Sequence, residues 1–208
     1  MAGGRGSTRR IVTERGNVIV RRFRRGGWMC WLGETYFGAR PRPLREFEVL
    51  LRARRRGLPV PEPIAAVVER RFGIAYRGRL FMAEVVGGRP LLEFLEAEPG
   101  AEAAPLLARG LRAIHDQGLR HPDLSLGNIL VVSGPDGPSA VFIDLDRARL
   151  FGSSLGEAER RRALARLRRS VAKLDPQGRR LPAGELDRME ALYWSAPAGA
   201  AHGVENPV

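Results

Sequence analysis

Apolar and polar positions along this 208-residue chain change period several times. Asn17-Val18-Ile19-Val20-Arg21 reads as an apolar, alternating strand. From Pro43 to Ala53 the period becomes helical, with Leu44, Phe47, Leu50 and Leu51 on one face, Pro43 near the start and Gly57 past the end. Gly57-Leu58-Pro59-Val60-Pro61-Glu62-Pro63 is an extended, proline-stiffened connection. Ile64 to Val68 and Leu80 to Val86 read as strands, and Gly87-Gly88 as a hinge between two lobes. Leu91 to Leu95 opens a short helix. A longer one runs from Ala103 to Gln117, with Leu107, Leu111 and Ile114 on its apolar face, and Gly118 stops it. Ile129-Val132 and Ala140-Ile143 form a hairpin through Pro135-Asp136-Gly137-Pro138. Glu157 to Leu174 is a basic helix with a buried stripe of Leu164, Leu167, Val171 and Leu174, and Glu185 to Trp194 is a last helix.

Candidate chemistry lies between the long helix and the hairpin. His121-Pro122-Asp123-Leu124-Ser125-Leu126-Gly127-Asn128 fits the His-x-Asp-x4-Asn catalytic loop of kinase-like phosphotransferases. In such a loop Asp123 accepts the proton of an attacking hydroxyl, and Asn128 turns back to hold a metal ion. Asp144, at the end of an apolar strand, is the second metal ligand, the one that meets the phosphate-bridging Mg2+. With three His, seven Asp and three Asn in 208 residues, the loop pattern arises by chance only about 0.0015 times per chain. Asp146 lies on the same side as Asp144 in an extended chain, and either assists the metal or anchors Arg147. His115, near a helix C-terminus, reads as structural.

ATP needs a second set of groups. Gly4, Gly6 and Ser7 lie in an opening glycine cluster, Gly3 to Thr8, whose backbone amides can approach phosphates. A cation on the next strand should pair with the phosphates, and an acid on the following helix should hold that cation. Lys173 is the only lysine in the chain, so Arg21 or Arg22 must take the cation's place; Arg21 is the choice, with Glu46 as its brace. The competing reading of Glu46 is a solvated early-helix acid favoured by the helix dipole. Backbone groups from Glu84 to Val86 are placed to bind adenine, while Met82 and Val85 read as core. The pattern implies ATP and Mg2+ as cofactors.

Charge adds a partner class. The net charge is +12, carried almost wholly by arginine. It favours a polyanion, an anionic membrane surface or a phosphorylated substrate. A genome rich in arginine codons explains the skew from lysine but not the positive excess. Apolar runs are far shorter than a membrane span, no signal peptide is evident, and the single Cys30 excludes an intrachain disulfide framework. No repeat and no nucleic-acid-reading motif occurs, so a nucleic-acid partner is not expected.

Several phrases carry a family resemblance: Gly4-Arg5-Gly6-Ser7-Thr8, Val20-Arg21-Arg22-Phe23-Arg24-Arg25-Gly26-Gly27, Arg45-Glu46-Phe47, Leu58-Pro59-Val60-Pro61-Glu62-Pro63, Ile114 to Leu124, Asn128-Ile129-Leu130, Ile143 to Arg147 and Arg166-Leu167-Arg168-Arg169-Ser170. Together they resemble the 3-deoxy-D-manno-octulosonic acid (Kdo) kinase family, in the lipopolysaccharide-kinase branch of the protein-kinase-like fold. The resemblance implies an ATP-dependent enzyme at the cytoplasmic face of the Gram-negative inner membrane, peripherally bound, that phosphorylates the 4-hydroxyl of Kdo on Kdo–lipid A. Asp123 would match its catalytic Asp. The family carries further residues before the Gly-Arg-Gly loop, so the first strand of the small lobe is expected to be missing or supplied differently. The expected fold is α+β and two-lobed: an N-lobe over residues 1–87 with a small antiparallel sheet and one helix, and a mainly helical C-lobe over residues 88–208. Three alternatives stay open. One is another small kinase of this fold, acting on a heptose, a small molecule or a protein serine. Another is a non-catalytic nucleotide-binding or pseudokinase module, which the missing lysine favours. The third and weakest is a nucleic-acid binder, which salt-dependent retention on DNA would reveal.

Overall fold

A computed structural model of the chain describes residues 8–23, 34–98 and 103–195. The expected phosphate groups Gly4, Gly6 and Ser7, and the Arg24-Arg25-Gly26-Gly27 turn, lie outside the described residues. The chain divides into two compact units: Met1–Arg52 with Pro61–Val85, and Ala53–Val60 with Val86–Val208.

The first unit is an antiparallel sheet of β1 (Thr8–Thr13), β2 (Gly16–Arg22), β3 (Tyr36–Phe37), β4 (Pro63–Arg70) and β5 (Ala75–Ala83), with helix α1 (Arg42–Arg55) beginning in it. β5 is central. Its Arg79 to Met82 pair with β2 on one edge and β4 on the other, and Ala75 and Tyr76 pair with β3. Thr8, read from sequence as loop, instead opens β1, which pairs along its full length with β2. Every β1 residue is exposed, so no apolar alternation marks the strand. β5 starts five residues earlier than its apolar run and stops at Ala83, because pairing with β4 carries the polar Arg77 and Arg79 into the ladder.

α1 also differs from its pattern. Its buried positions are Pro43, Glu46, Leu50 and Ala53, while Leu44 is exposed. The reason is the site it packs on. Gly78 of β5 has no side chain, and a Cβ there would meet Pro43 Cγ at 2.3 Å. That contact, with the Arg42 N–H donating to the Tyr76 hydroxyl at 3.0 Å, turns the Pro43–Glu46–Leu50 stripe inward.

In the second unit, β6 (Arg89–Pro90), α2 (Leu91–Ala97), α3 (Ala103–Asp116), β7 (Leu119–Arg120), β8 (Ile129–Gly134), β9 (Gly137–Phe142), β10 (Arg149–Leu150), α4 (Glu157–Leu174) and α5 (Ala183–Ser195) follow one another. β8 and β9 form the hairpin, and β6 pairs with β8. α3 lies against β9 through Gly110, where a Cβ would meet Ala140 Cβ at 2.9 Å. Leu107, Leu111, Ile114, Phe142, Met189 and Tyr193 fill the core around it. Ala53–Val60 is held here by Phe142 N–H donating to Pro59 O at 2.8 Å, and by Arg56 Nη1 donating to the Gln117 and Phe151 carbonyls.

α4 buries Ala163, Leu164, Leu167 and Val171, but Leu174, expected in that stripe, is 41% exposed. The helix ends there, and the Asp175 carboxylate draws the chain aside by accepting from the Arg179, Arg180 and Leu181 amides. Four α4 arginines are paired: Arg160 with Asp116, Arg161 with Glu157, Arg162 with Glu159, and Arg168 with Asp187 and Glu190. No helix of the described residues is long and apolar enough to cross a membrane.

Candidate active site

In the first unit, Arg21 lies on β2 opposite Leu80 of β5. Its Nη1 donates to Glu46 Oε1 at 2.7 Å and Oε2 at 2.9 Å. Glu46 is 1% exposed, so the solvated-acid reading does not hold for it. A carboxylate that deep in protein requires a cation, and the α1 stripe that buries it also aims it at β2. Arg21 is further packed over the Phe23 ring, 5.2 Å from its centroid.

Glu84 follows β5 and is tied back to the first hairpin. Its carboxylate accepts from Asn17 Nδ2 at 2.6 Å and from Arg10 Nη2 at 3.0 Å, and its amide donates to Asn17 O at 2.9 Å. The Asn17 hydrogen bond, aided by the Arg10 cation, holds that carboxyl below the usual range. The Glu84 N–H is therefore engaged within its own unit. Neither Asn17 nor Arg10 stood out in the sequence, because the pairing joins residues 67 and 74 positions apart. Val86 belongs to the second unit, and its side chain is exposed.

The second unit carries the loop. α3 ends at Asp116, and Gly118 reverses the chain with φ +78, in space closed by Ser153 O 2.3 Å from where a Cβ would stand. β7 then pairs with β10, which brings the start of the loop beside the segment that follows Asp146. His121 is buried, and its Nε2 lies 3.0 Å from the Ile143 carbonyl, one residue before Asp144. The carbonyl only accepts, so Nε2 is the protonated ring nitrogen. Asn128 Nδ2 donates to the Asp123 carbonyl at 2.8 Å, and Ile143 N–H donates to the Asn128 carbonyl at 3.0 Å. Buried Leu124 and Leu126 anchor the loop between these bonds. Asp123, Asn128 and Ile143, the residue before Asp144, are thus tied into one network, although Ile143 lies fifteen or more residues from the other two.

Burial pushes the His121 pKa down, while Asp144 and Asp123 both act to raise it and Arg166 acts to lower it. All three side chains therefore act on the buried ring. The Asp123 side chain is exposed and Asp144 half-buried. Asp144 has φ 63, the only non-glycine residue with positive φ among the described residues. A left-handed Asp costs about 1–3 kcal/mol and persists where the surroundings over-determine it, as at ligand-binding sites. Asp146 is buried nearby in sequence. α4 meets the loop through Ser170, whose Oγ accepts from Leu126 N–H at 3.0 Å. Arg166 is one helical turn before Ser170, on the same side of α4. The Arg166–Ser170 phrase was visible in the sequence, but nothing local tied it to the loop.

His115 plays a structural part. Its Nδ1 is 2.8 Å from the Tyr193 hydroxyl, and its pKa is lowered to about 3, first by burial and then by the Arg160 cation. The folded ring stays neutral where an unfolded one, with an ordinary value of 6.5, takes a proton. The unfolded state then binds more protons between these values. Stability is complete above pH 6.5 and falls as pH drops toward 3. The slope approaches about 1.4 kcal/mol per pH unit for one histidine, and His121 shifts in the same direction. Urea midpoints between about pH 7 and about pH 5 should fall for the parent, and His115→Phe should lose about one proton's worth of that slope. An unchanged slope would rule out His115 as a source.

Comparison with known proteins decides the family. The model of the lipopolysaccharide kinase (Kdo/WaaP) family matches residues 2–191. This chain belongs to that family. The 3-deoxy-D-manno-octulosonic acid kinase of Xylella fastidiosa is 34% identical over 176 residues, covering 83% of this chain and 68% of that one. The Vibrio cholerae protein of the same name is 31% identical over 177 residues, covering 83% and 72%. Among solved structures, WaaP in complex with acyl carrier protein superimposes with a TM-score of 0.61 at 18% identity, over 95% of this chain and 78% of that one. The Rio2 kinase of Chaetomium thermophilum, in a complex with ADP, Mg2+ and phosphoaspartate, gives 0.55 at 17% identity, over 92% and 64%. The fold is therefore α+β and protein-kinase-like. As a member of this kinase family the protein is an ATP-dependent phosphotransferase acting on a hydroxyl, in lipopolysaccharide biosynthesis.

Proposed function

We propose that the protein phosphorylates the 4-hydroxyl of Kdo on Kdo–lipid A, using ATP and Mg2+ at the cytoplasmic face of the inner membrane, where it binds peripherally. The observation that carries this reading is the network of Asp123, Asn128, Ile143 and Asp144 around buried His121. Asp123, exposed and on a pinned loop, orients the acceptor hydroxyl and takes its proton as the hydroxyl oxygen bonds to the γ-phosphorus and the bond to the ADP oxygen breaks. His121, kept neutral by burial, positions the loop and is not the base.

The residues present fit a hard divalent ion. Asp144 offers a carboxylate on a strained backbone, and Asn128 has its amide oxygen left over from the bond its Nδ2 makes to Asp123. Among the described residues no group of three acidic, His or Cys side chains forms a closed cage. Mg2+ suits such a site, because it takes one or two protein oxygens and completes its shell with phosphates and water. When bound, Mg2+ would neutralise charge on the phosphates. In the first unit, Arg21, held by Glu46, takes the role of the phosphate-pairing cation, with Gly4, Gly6 and Ser7 as amide donors. The backbone from Glu84 to Val86, where one unit passes into the other along the chain, is the proposed adenine contact. Arg166, beside the loop and outside any ion pair among the described residues, suits an acceptor that carries a carboxylate, as Kdo does.

Incubating the protein with Kdo–lipid A and Mg-ATP, then taking a mass spectrum of the lipid, tests the proposal. One added phosphate on the sugar is expected. Transfer to a heptose or a protein serine, with none to Kdo, would replace it with another kinase of the same fold.

A further inference from the structure

We propose that the turn joining β4 to β5 is a finger that inserts into an anionic lipid surface and docks the protein there. This rests on the reading of the acceptor as a membrane glycolipid. At the tip of this hairpin, Phe72 is 86% exposed and Ile74 is 58% exposed. The tip is built rather than loose. From Ala65 the ladder runs in register up to Arg70 opposite Tyr76. Arg71 N–H donates to Ala75 O at 2.9 Å, and Ala75 N–H donates to Phe72 O at 2.7 Å. Gly73 at φ +49 makes the reversal, and Gly38 N–H from the end of β3 donates to Ile74 O at 3.0 Å. Two large apolar side chains are thus held out into solvent on a braced turn.

Charge identifies the occupant. Arg70, Arg71 and Arg77 surround the tip, are exposed, and form no ion pair among the described residues. Arg79, further down β5, reaches Glu69 at 3.9 Å, and Glu69 is the only acid between Glu62 and Glu84. An apolar point ringed by cations matches a bilayer interface: Phe and Ile enter the headgroup boundary while guanidinium groups meet lipid phosphates. A second copy of the chain would set arginine against arginine. An aliphatic Ile74 beside Phe72 is a poor stacking platform for bases.

The test is flotation of the full chain with phosphatidylcholine vesicles, with and without phosphatidylglycerol, at fixed salt. The parent should float with the anionic vesicles. Phe72→Ser/Ile74→Ser should bind about ten-fold more weakly or worse. Replacing Arg70 and Arg71 by Gln should cost about five-fold per residue. Both variants should keep the parent's thermal midpoint, and its rate on Kdo–lipid A dispersed in detergent. Parent-like flotation of the Phe72→Ser/Ile74→Ser variant overturns the finger. So does equal binding of the parent to neutral vesicles, retention on DNA without vesicle binding, or a dimer that this variant dissolves. Should the parent transfer no phosphate to Kdo–lipid A yet float through this tip, the acceptor reading fails and the finger stands.

Discussion

Asp123→Asn should lower phosphate transfer about 10²–10⁴-fold while leaving the thermal midpoint where it was. The size follows from the role. A positioned base that removes the acceptor proton contributes that much in the transition state, and Asn keeps the shape without the basicity. The unchanged midpoint follows from the structure. The Asp123 side chain is exposed, and the bond that holds the loop runs to its backbone carbonyl, not its carboxylate. Surface substitutions of this kind stay within about 0.5 kcal/mol. Asn128→Ala provides the contrast, since it removes both the loop-pinning Nδ2 bond and the proposed metal oxygen. Radiolabelled phosphate transfer, read beside a thermal melt, checks both variants. Turnover within a few-fold of the parent for Asp123→Asn would remove this residue from the chemistry, and the pseudokinase reading would gain.

The second large effect concerns stability. Arg21→Leu should cost about 3–5 kcal/mol, a large share of the roughly 5–15 kcal/mol that holds a domain folded. The cost comes from what is left behind: Glu46, 1% exposed, would keep a buried charge without the Arg21 guanidinium that lies 2.7 Å from it. Arg21→Leu combined with Glu46→Leu should recover much of the loss, because both charges leave together and α1 keeps an apolar stripe against β2. Urea unfolding of the two single variants and the double variant reads the coupling directly. An Arg21→Leu chain as stable as the parent would mean that Glu46 is solvated after all. Activity should fall in both Arg21 variants, since the proposed phosphate cation is lost in each.

Much of the site was legible because its spacing is local. The His121 to Asn128 loop is one short run, and Asp144 lies two residues past the second strand of a hairpin that Pro135-Asp136-Gly137-Pro138 announces. Glycine at the end of α3 marks the reversal that delivers the loop, since only a residue without Cβ fits beside Ser153. The helices announced themselves by period, and their boundaries moved by only a few residues. Which face each helix buries was less legible. Leu44 and Leu174 continue an apolar period yet are exposed, because Pro43 rather than Leu44 packs on Gly78 and because α4 ends at Leu174, where the chain turns aside. Glu46 breaks the α1 period and is buried, since Arg21 lies opposite.

Sequence alone determined the order and spacing on which the proposed chemistry rests, an acid, an amide and a second acid after an apolar strand, and a chain with enough periodic apolar residues to fold around them. Tertiary structure decided what joins distant segments. It set Glu46 against Arg21, Asn17 and Arg10 against Glu84, Ser170 against the loop, and Phe72 in solvent. The physical reason is that a repeat encodes which residues share a face, while burial and pairing depend on what packs against that face.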